Sequence, residues 1–242
     1  MGSRLPKVMH QIAGTPLIAF PIRAALEAGA EHIVVVVGYR KELVTDYVKS
    51  TFADRATTAE QLEQKGTGHA TAQALPAIPD SVERVLILCG DTPLLKSNDL
   101  SRLVEALDNA PQAQLSMLTC VVEDPTGYGR ILRDDSGRVC GIREDRDLDG
   151  TQRGIREVNP GVYCARTAFL RIALPQLRSD NAQEELYLTD VVSLAANSGG
   201  VVDVAADGAS LVGVNDRQQL LTAEAVLSKE SIAHVRQRDN LP

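Results

Sequence analysis

The chain has 242 residues, enough for one large α/β domain or two small ones. Apolar residues make up 44%, which supports a full core and argues against disorder. A formal net charge of -7 and a pI near 5.2 argue against a nucleic-acid groove, while leaving room for a small anion at a local basic site.

The chain opens with "MGSRLPKVMH". Gly2, Ser3 and Arg4 read as a loop, Pro6 as a helix-start signal, and Ile12 as the approach to a helix. "LIAFPIRAALEAGA" has helical spacing and stops at Gly29. "EHIVVVVGY" is a β-branched run without polar alternation, as in a strand buried on both faces. "RKELVTDYVKSTFA" is helical, and "EQKGTGHA" follows an extended segment and opens the short helix "HATAQALPAI". "RVLILCGD" reads as a second buried strand. "SNDLSRLVEALDNA" reads as an amphipathic helix with a Ser/Asn cap, and "QLSMLTCVVED" as a third strand.

Strand–helix–strand repetition predicts a mostly parallel central sheet flanked by helices. After Asp124 the pattern changes. "GRILRDDSGRVCGIRED" predicts a hairpin turning at "DDSG", a small antiparallel insertion. "REVNPGVYCAR" predicts a strand, "AQEELYLTDVVSLAANSG" a helix and "VVDVAA" a strand. The long polar helix "DRQQLLTAEAVLSKESIAHVRQR" closes the chain. The domain expectation is 1–216 as one unit, followed by a C-terminal helix over 217–242.

The four cysteines, Cys89, Cys120, Cys140 and Cys164, form no C-x-x-C pair. Cys89 and Cys120 lie in apolar runs and read as small core residues. Unpaired cysteines and no signal peptide suggest a cytoplasmic protein, and "IVVVV" is too short to span a membrane.

In open parallel sheets ligands bind at the C-terminal strand ends. Asp91, directly after "RVLILC", is placed to hold Mg²⁺ together with phosphate oxygens, or to make a turn. Gly66 and Gly68 could let backbone approach a ligand, or only form a turn. Gln61 and Gln64 each carry a donor and an acceptor for a base edge. "DPTGYGRI" is a tight bend or a surface for a flat ligand; Glu144 and Asn159 fall on either side of the same cleft or are surface polar residues. Asn215 follows an apolar segment, beside Asp216 as a helix cap.

In this order, "LPKV.H", "EQ.GTGHA", "GD.PLL", "DPTGYGRI", "GI.E", "E.N.G", "YLTD" and "GVN" resemble the uridyltransferase domain of the N-acetylglucosamine-1-phosphate uridyltransferase family. The resemblance runs from Gly2 to about Arg236 and implies a Rossmann-like nucleotidyltransferase fold. It implies uridyl transfer from UTP to N-acetylglucosamine 1-phosphate with release of pyrophosphate. Alternatives are a related nucleotidyltransferase for another sugar or base, and a domain that binds a sugar nucleotide without turnover. Lys7 would then contact the UTP phosphates, and Gln61, Gln64, Gly66 and Thr67 would hold uracil. Asp91 and Asn215 would hold Mg²⁺. Gly129, Glu144, Asn159, Tyr187 and Thr189 would line the sugar side. No nucleic-acid or membrane partner is implied.

Three positions depart from the family: Cys89 stands where an aromatic is usual, Pro160 where a Thr is common, and Glu184 where a Gly is common. The family pattern also places a strand and a loop of the form "LAAGxGTRM" before "LPK", with Met1 at the position of that Met. Without that strand and loop, the 242-residue chain is expected to be poorly stable and to have little uridyltransferase activity. Bifunctional members continue into a left-handed β-helix; with the sequence ending at Pro242, no such module is expected here.

Overall fold

The computed structural model describes residues 5–211 and 213–238. Gly2, Ser3 and Arg4, expected as a loop, lie outside the described residues, as does the chain end at 239–242. A single 3-10 turn, Lys7–Met9, leads into a short antiparallel pair, β1 (Gln11–Ile12) and β2 (Thr15–Pro16). Helix α1 (Ala19–Glu27), β3 (Ile33–Val37), α2 (Lys41–Phe52), β4 (Ala56–Glu60) and α3 (Thr67–Ala74) follow. Next come β5 (Arg84–Ile87), α4 (Ser97–Asp108), β6 (Leu115–Val121), and the hairpin β7 (Gly129–Arg133) and β8 (Val139–Arg143). The chain continues through β9 (Glu157–Asn159), β10 (Tyr163–Arg166), α5 (Thr167–Ala173), α6 (Asp190–Ser198), β11 (Val201–Ala205), α7 (Gly208–Leu211) and α8 (Arg217–Arg238).

The architecture is α/β, but the expected mostly parallel sheet is not what forms. The large sheet has seven strands in the order β5-β10-β6-β9-β7-β8, with β11 added to β6. Only β11–β6 is a parallel pair; the other pairings in this sheet are antiparallel. The parallel pair β3–β4 stands as a separate two-stranded sheet. The reason is β10. It enters between β5 and β6 and runs antiparallel to both, so β5 and β6 share a direction without sharing a ladder.

Strands β3 and β5 are half-buried rather than buried on both faces. Among the described residues each pairs along one edge only, with β4 and β10 respectively.

The expected strand "REVNPGVYCAR" is two strands. Pro160 has no N–H to give to a ladder, and Gly161 takes φ +76°, so pairing stops after β9 and resumes at β10. The expected helix over 182–199 begins only at Asp190. Glu184 takes φ +55°, and the Leu186 N–H is given to the Lys65 carbonyl instead of to a helical turn. In α4, Ser97 is the first helical residue rather than its cap.

Burial explains the rest. Leu100, Leu103 and Leu107 recur on one face of α4 and are fully buried. They pack with Leu118, Val158 and Cys164 of the sheet. On the other face, α5 and α6 cover Leu115, Met117, Ile131 and Tyr163. Helix α8 starts with a reciprocal cap: Gln219 N donates to Asp216 Oδ1 at 2.8 Å, and Asp216 N to Gln219 Oε1 at 3.3 Å. Its Ala223 packs on Ile12, Leu17 and Val214, which ties the segment before α8 to β1 and β2.

All four cysteines are free. Cys120 and Cys164 are buried, and burial pushes their thiols up to about 11 and about 12. Cys89, expected in the core, is exposed, because β5 ends at Ile87 and Cys89 already belongs to the turn beyond it. Among the described residues no helix is long and apolar enough to cross a membrane.

Candidate active site

The turn after β5 is the centre of the site. Gly90 is packed so closely by Ile18 and Val8 that a Cβ there would lie 2.8 Å from Ile18 and 3.2 Å from Val8. That contact brings the Lys7–Met9 turn over the strand end. Lys7 Nζ donates to Asp91 Oδ2 and, at 2.5 Å, to Asn215 Oδ1. Asn215 arrives from the far end of the sequence, because Val214 N donates to the Asp91 carbonyl at 2.9 Å. A Cβ at Gly213 would lie 3.3 Å from Asp91 Oδ1, so glycine keeps this approach free of crowding on the carboxylate. Lys7, Asp91 and Asn215 therefore converge on one point.

A second group lies at the ends of β3 and β4. Gln61 and Gln64 line an open cleft of about 330 Å³, with Tyr39 and Leu62 exposed at its edge. The cleft does not include Lys7 or Asp91. Gln61 Nε2 donates to the Gly66 carbonyl at 3.1 Å, and lies 3.0 Å from His69 Nδ1. A carbonyl can only accept, so the amide nitrogen faces Gly66 and the amide oxygen is turned to the other side.

Gly66 and Gly68 do serve a close backbone approach, but the neighbour is protein. Gly66 has φ +101°, and a Cβ there would lie 2.6 Å from the Leu186 carbonyl. Gly68 N donates to that carbonyl at 2.8 Å, and Leu188 N donates to Thr67 Oγ1 at 3.0 Å. The start of α3 is thereby joined to the segment that carries Tyr187 and Thr189.

The third group sits on the antiparallel side of the sheet. Gly129 pairs with Asn159, and a Cβ at Gly129 would lie 3.6 Å from Glu144 Oε2. Thr189 Oγ1 donates to Glu144 Oε1 at 2.8 Å. Burial pushes the Glu144 carboxyl above the ordinary glutamate range; the Thr189 hydrogen bond opposes this, and nearby Asp147 and Asp190 add to it. Asn159 is turned inward: Nδ2 donates to Tyr163 Oη at 2.6 Å and Oδ1 accepts from Gly161 N at 3.0 Å. Tyr187 is buried, and its hydroxyl accepts from Gln183 Nε2 at 2.9 Å. Cys89 Sγ reaches the Gly161 carbonyl at 3.7 Å and so connects the Asp91 turn to this side.

Residues 2–210 match the family described as Nucleotidyl transferase. The chain belongs to the nucleotidyl transferase family. This nucleotidyl transferase is 52% identical over 231 residues to the bifunctional protein GlmU of Sorangium cellulosum, covering 94% of the chain and 49% of that relative. It is 45% identical over 229 residues to the GlmU protein of Heliobacterium modesticaldum, with the same two shares. The GlmU protein of Geobacter metallireducens is 44% identical over 225 residues, 92% of the chain and 47% of the relative. The chain thus spans about half the length of the curated relatives it matches.

Two supports of the candidate site were not legible in the sequence. His69 Nδ1 lies 3.0 Å from the Gln61 amide nitrogen; the residue falls within "EQ.GTGHA", but nothing in that motif shows that its ring meets Gln61. Arg130 is 3% exposed, donates to the Tyr128 carbonyl, and pairs with Asp145 Oδ1 at 3.0 Å. It links the bend before Gly129 to the residue after Glu144. The pairing crosses a hairpin, so its only sequence signal was a charged residue at an inward strand position.

Proposed function

We propose that the protein transfers a uridyl group from UTP to N-acetylglucosamine 1-phosphate, giving UDP-N-acetylglucosamine and pyrophosphate. The observation that carries the reading is the meeting of Lys7, Asp91 and Asn215 beyond the end of β5. Two hard oxygens already close on one cationic nitrogen, and a carboxylate with an amide suits Mg²⁺ that keeps waters and takes phosphate oxygens. Asp91 and Asn215 would hold that ion, which when bound neutralises phosphate charge. Lys7 adds positive charge to the phosphates in a chain of net charge -7.

Uracil lies against Gln61, Gln64, Gly66 and Thr67. The Gln61 oxygen accepts the base N–H, and Thr67, already accepting from Leu188, keeps its hydroxyl proton for the ligand. The acceptor sugar phosphate lies beside Gly129, Glu144 and Thr189. Asn159 and Tyr187 shape that side from behind, with their main hydrogen bonds made within the protein. A phosphate oxygen of the sugar phosphate attacks the α-phosphorus of UTP, and pyrophosphate leaves. No protein nucleophile takes part, so the work is alignment and charge neutralisation. A cytoplasmic site of action belongs to the same reading.

The test is product analysis with UTP, N-acetylglucosamine 1-phosphate and Mg²⁺. UDP-N-acetylglucosamine and pyrophosphate are expected in equal amounts. Faster turnover with another sugar 1-phosphate would move the assignment to a sister activity, and binding without product would make the domain non-catalytic.

A further inference from the structure

We infer that Lys7 is a tethered counter-ion that holds the divalent-cation position until a nucleotide draws it away, so that metal and nucleotide bind cooperatively. The inference rests on the metal pair proposed above and adds an order of events to it.

The ammonium of Lys7 lies within hydrogen-bond distance of Asp91 Oδ2 and Asn215 Oδ1 at once. A Mg²⁺ bound to both oxygens, at about 2.1 Å from each, would need the same space. The two cations exclude one another. The oxygens, by contrast, are fixed. Asp91 is held by its carbonyl to Val214 N and has Gly213 against its carboxylate, and the Asn215 N–H is tied to Gln219 Oε1 at 2.6 Å. Lys7 is the movable partner. It sits on a single 3-10 turn, its side chain is 38% exposed, and it has a long flexible stem.

The protein offers little else to compete with Lys7 for a metal. Among the described residues there is no group of three or more His, Cys, Asp or Glu that could hold an ion. A free divalent cation therefore finds one carboxylate, already neutralised. A triphosphate changes both sides. Its negative charge gives Lys7 a stronger partner, and its oxygens complete the coordination that Asp91 and Asn215 begin. Because binding free energies are linked, the factor by which nucleotide tightens metal equals the factor by which metal tightens nucleotide.

The test uses Mn²⁺ as the probe and water-proton relaxation as the readout, on wild type, Lys7→Met, Lys7→Arg and Asp91→Asn, each with and without UTP. Without nucleotide, Lys7→Met should bind Mn²⁺ about twofold to fivefold tighter than wild type, the scale set by releasing a partly exposed ion pair. Lys7→Arg keeps the charge and should bind as wild type does. With UTP present, the advantage of Lys7→Met should vanish. If Lys7→Met binds Mn²⁺ no tighter than wild type, while wild type with UTP shows binding that Asp91→Asn abolishes, the gating role is overturned and the metal pair stands. If wild type with UTP shows no Asp91-dependent binding, the metal pair falls, and the gating role with it. Melting curves accompany each variant, and Lys7→Gln replaces Lys7→Met if the latter melts early.

Discussion

Glu144 carries a cost of position. Its carboxyl is raised by burial, so folding favours the protonated form. The sign follows directly: the contribution to stability is fully present below the ordinary glutamate value of 4.5 and is lost as pH rises through the higher folded value. Glu144→Gln keeps an acceptor for Thr189 without the charge. It should therefore melt higher than wild type at neutral pH, and the advantage should disappear below about pH 4. The same substitution should weaken use of the sugar phosphate much more than UTP binding, because Glu144 lies on the proposed sugar side. His69 makes a different expectation. With one of the two contacts on the Gln61 amide nitrogen removed, His69→Leu should reduce the preference for UTP over CTP by up to roughly fivefold, the worth of about one hydrogen bond. Competition binding of the two nucleotides measures it. Asp91 and Asn215 stood out in the sequence because each follows an apolar run, and the family resemblance paired them; the structure brings both to Lys7. His69 and Arg130 did not, because each acts through a partner that only the fold supplies.

At the scale of elements, the glycine start of α3 is the most sensitive joint. In Gly66→Ala a Cβ would press on the Leu186 backbone, at a φ of +101° that L side chains rarely adopt. A loss of about 3 kcal/mol or more in urea unfolding is expected from strain plus a backbone clash. The hairpin depends on Arg130, and Arg130→Met should cost about 2 kcal/mol, between the scales for exposed and fully buried pairs, because Asp145 is 30% exposed. Most elements were legible from periodicity: α2, α4, α8, β3 and the hairpin lie where hydrophobic spacing and turn residues put them. The helix expected over 182–199 was half wrong for a physical reason. Leu186 and Leu188 make hydrogen bonds to Lys65, Thr67 and Gly68 around the start of α3, a contact distant in sequence, and that outweighs the local helical spacing. Pro160, by contrast, was a local signal for the break between β9 and β10, and it stood in plain view within "REVNPGVYCAR".

For the whole molecule, the common direction of the strands in the strand–helix alternation was legible, but the antiparallel majority of the large sheet and its strand order were not. Strands β5, β6 and β11 share a direction, as a strand–helix alternation implies, yet β10 separates β5 from β6. Nothing in the sequence of β10 says which ladder it will enter, since apolar strands suit several. That insertion has a functional consequence. It carries Gly161 to Cys89 and so brings the Glu144 side of the sheet up to the Asp91 turn. In the proposed reaction this turn aligns a nucleotide and a sugar phosphate for transfer. Pyrophosphate release from UTP and N-acetylglucosamine 1-phosphate, measured for wild type and Asp91→Ala across a Mg²⁺ titration, tests it most directly. Release should depend on Mg²⁺ in wild type and fall by on the order of a hundredfold or more in Asp91→Ala, the scale of losing one group that stabilises transition-state charge. Release in Asp91→Ala at the wild-type rate and with the same Mg²⁺ dependence would contradict the account.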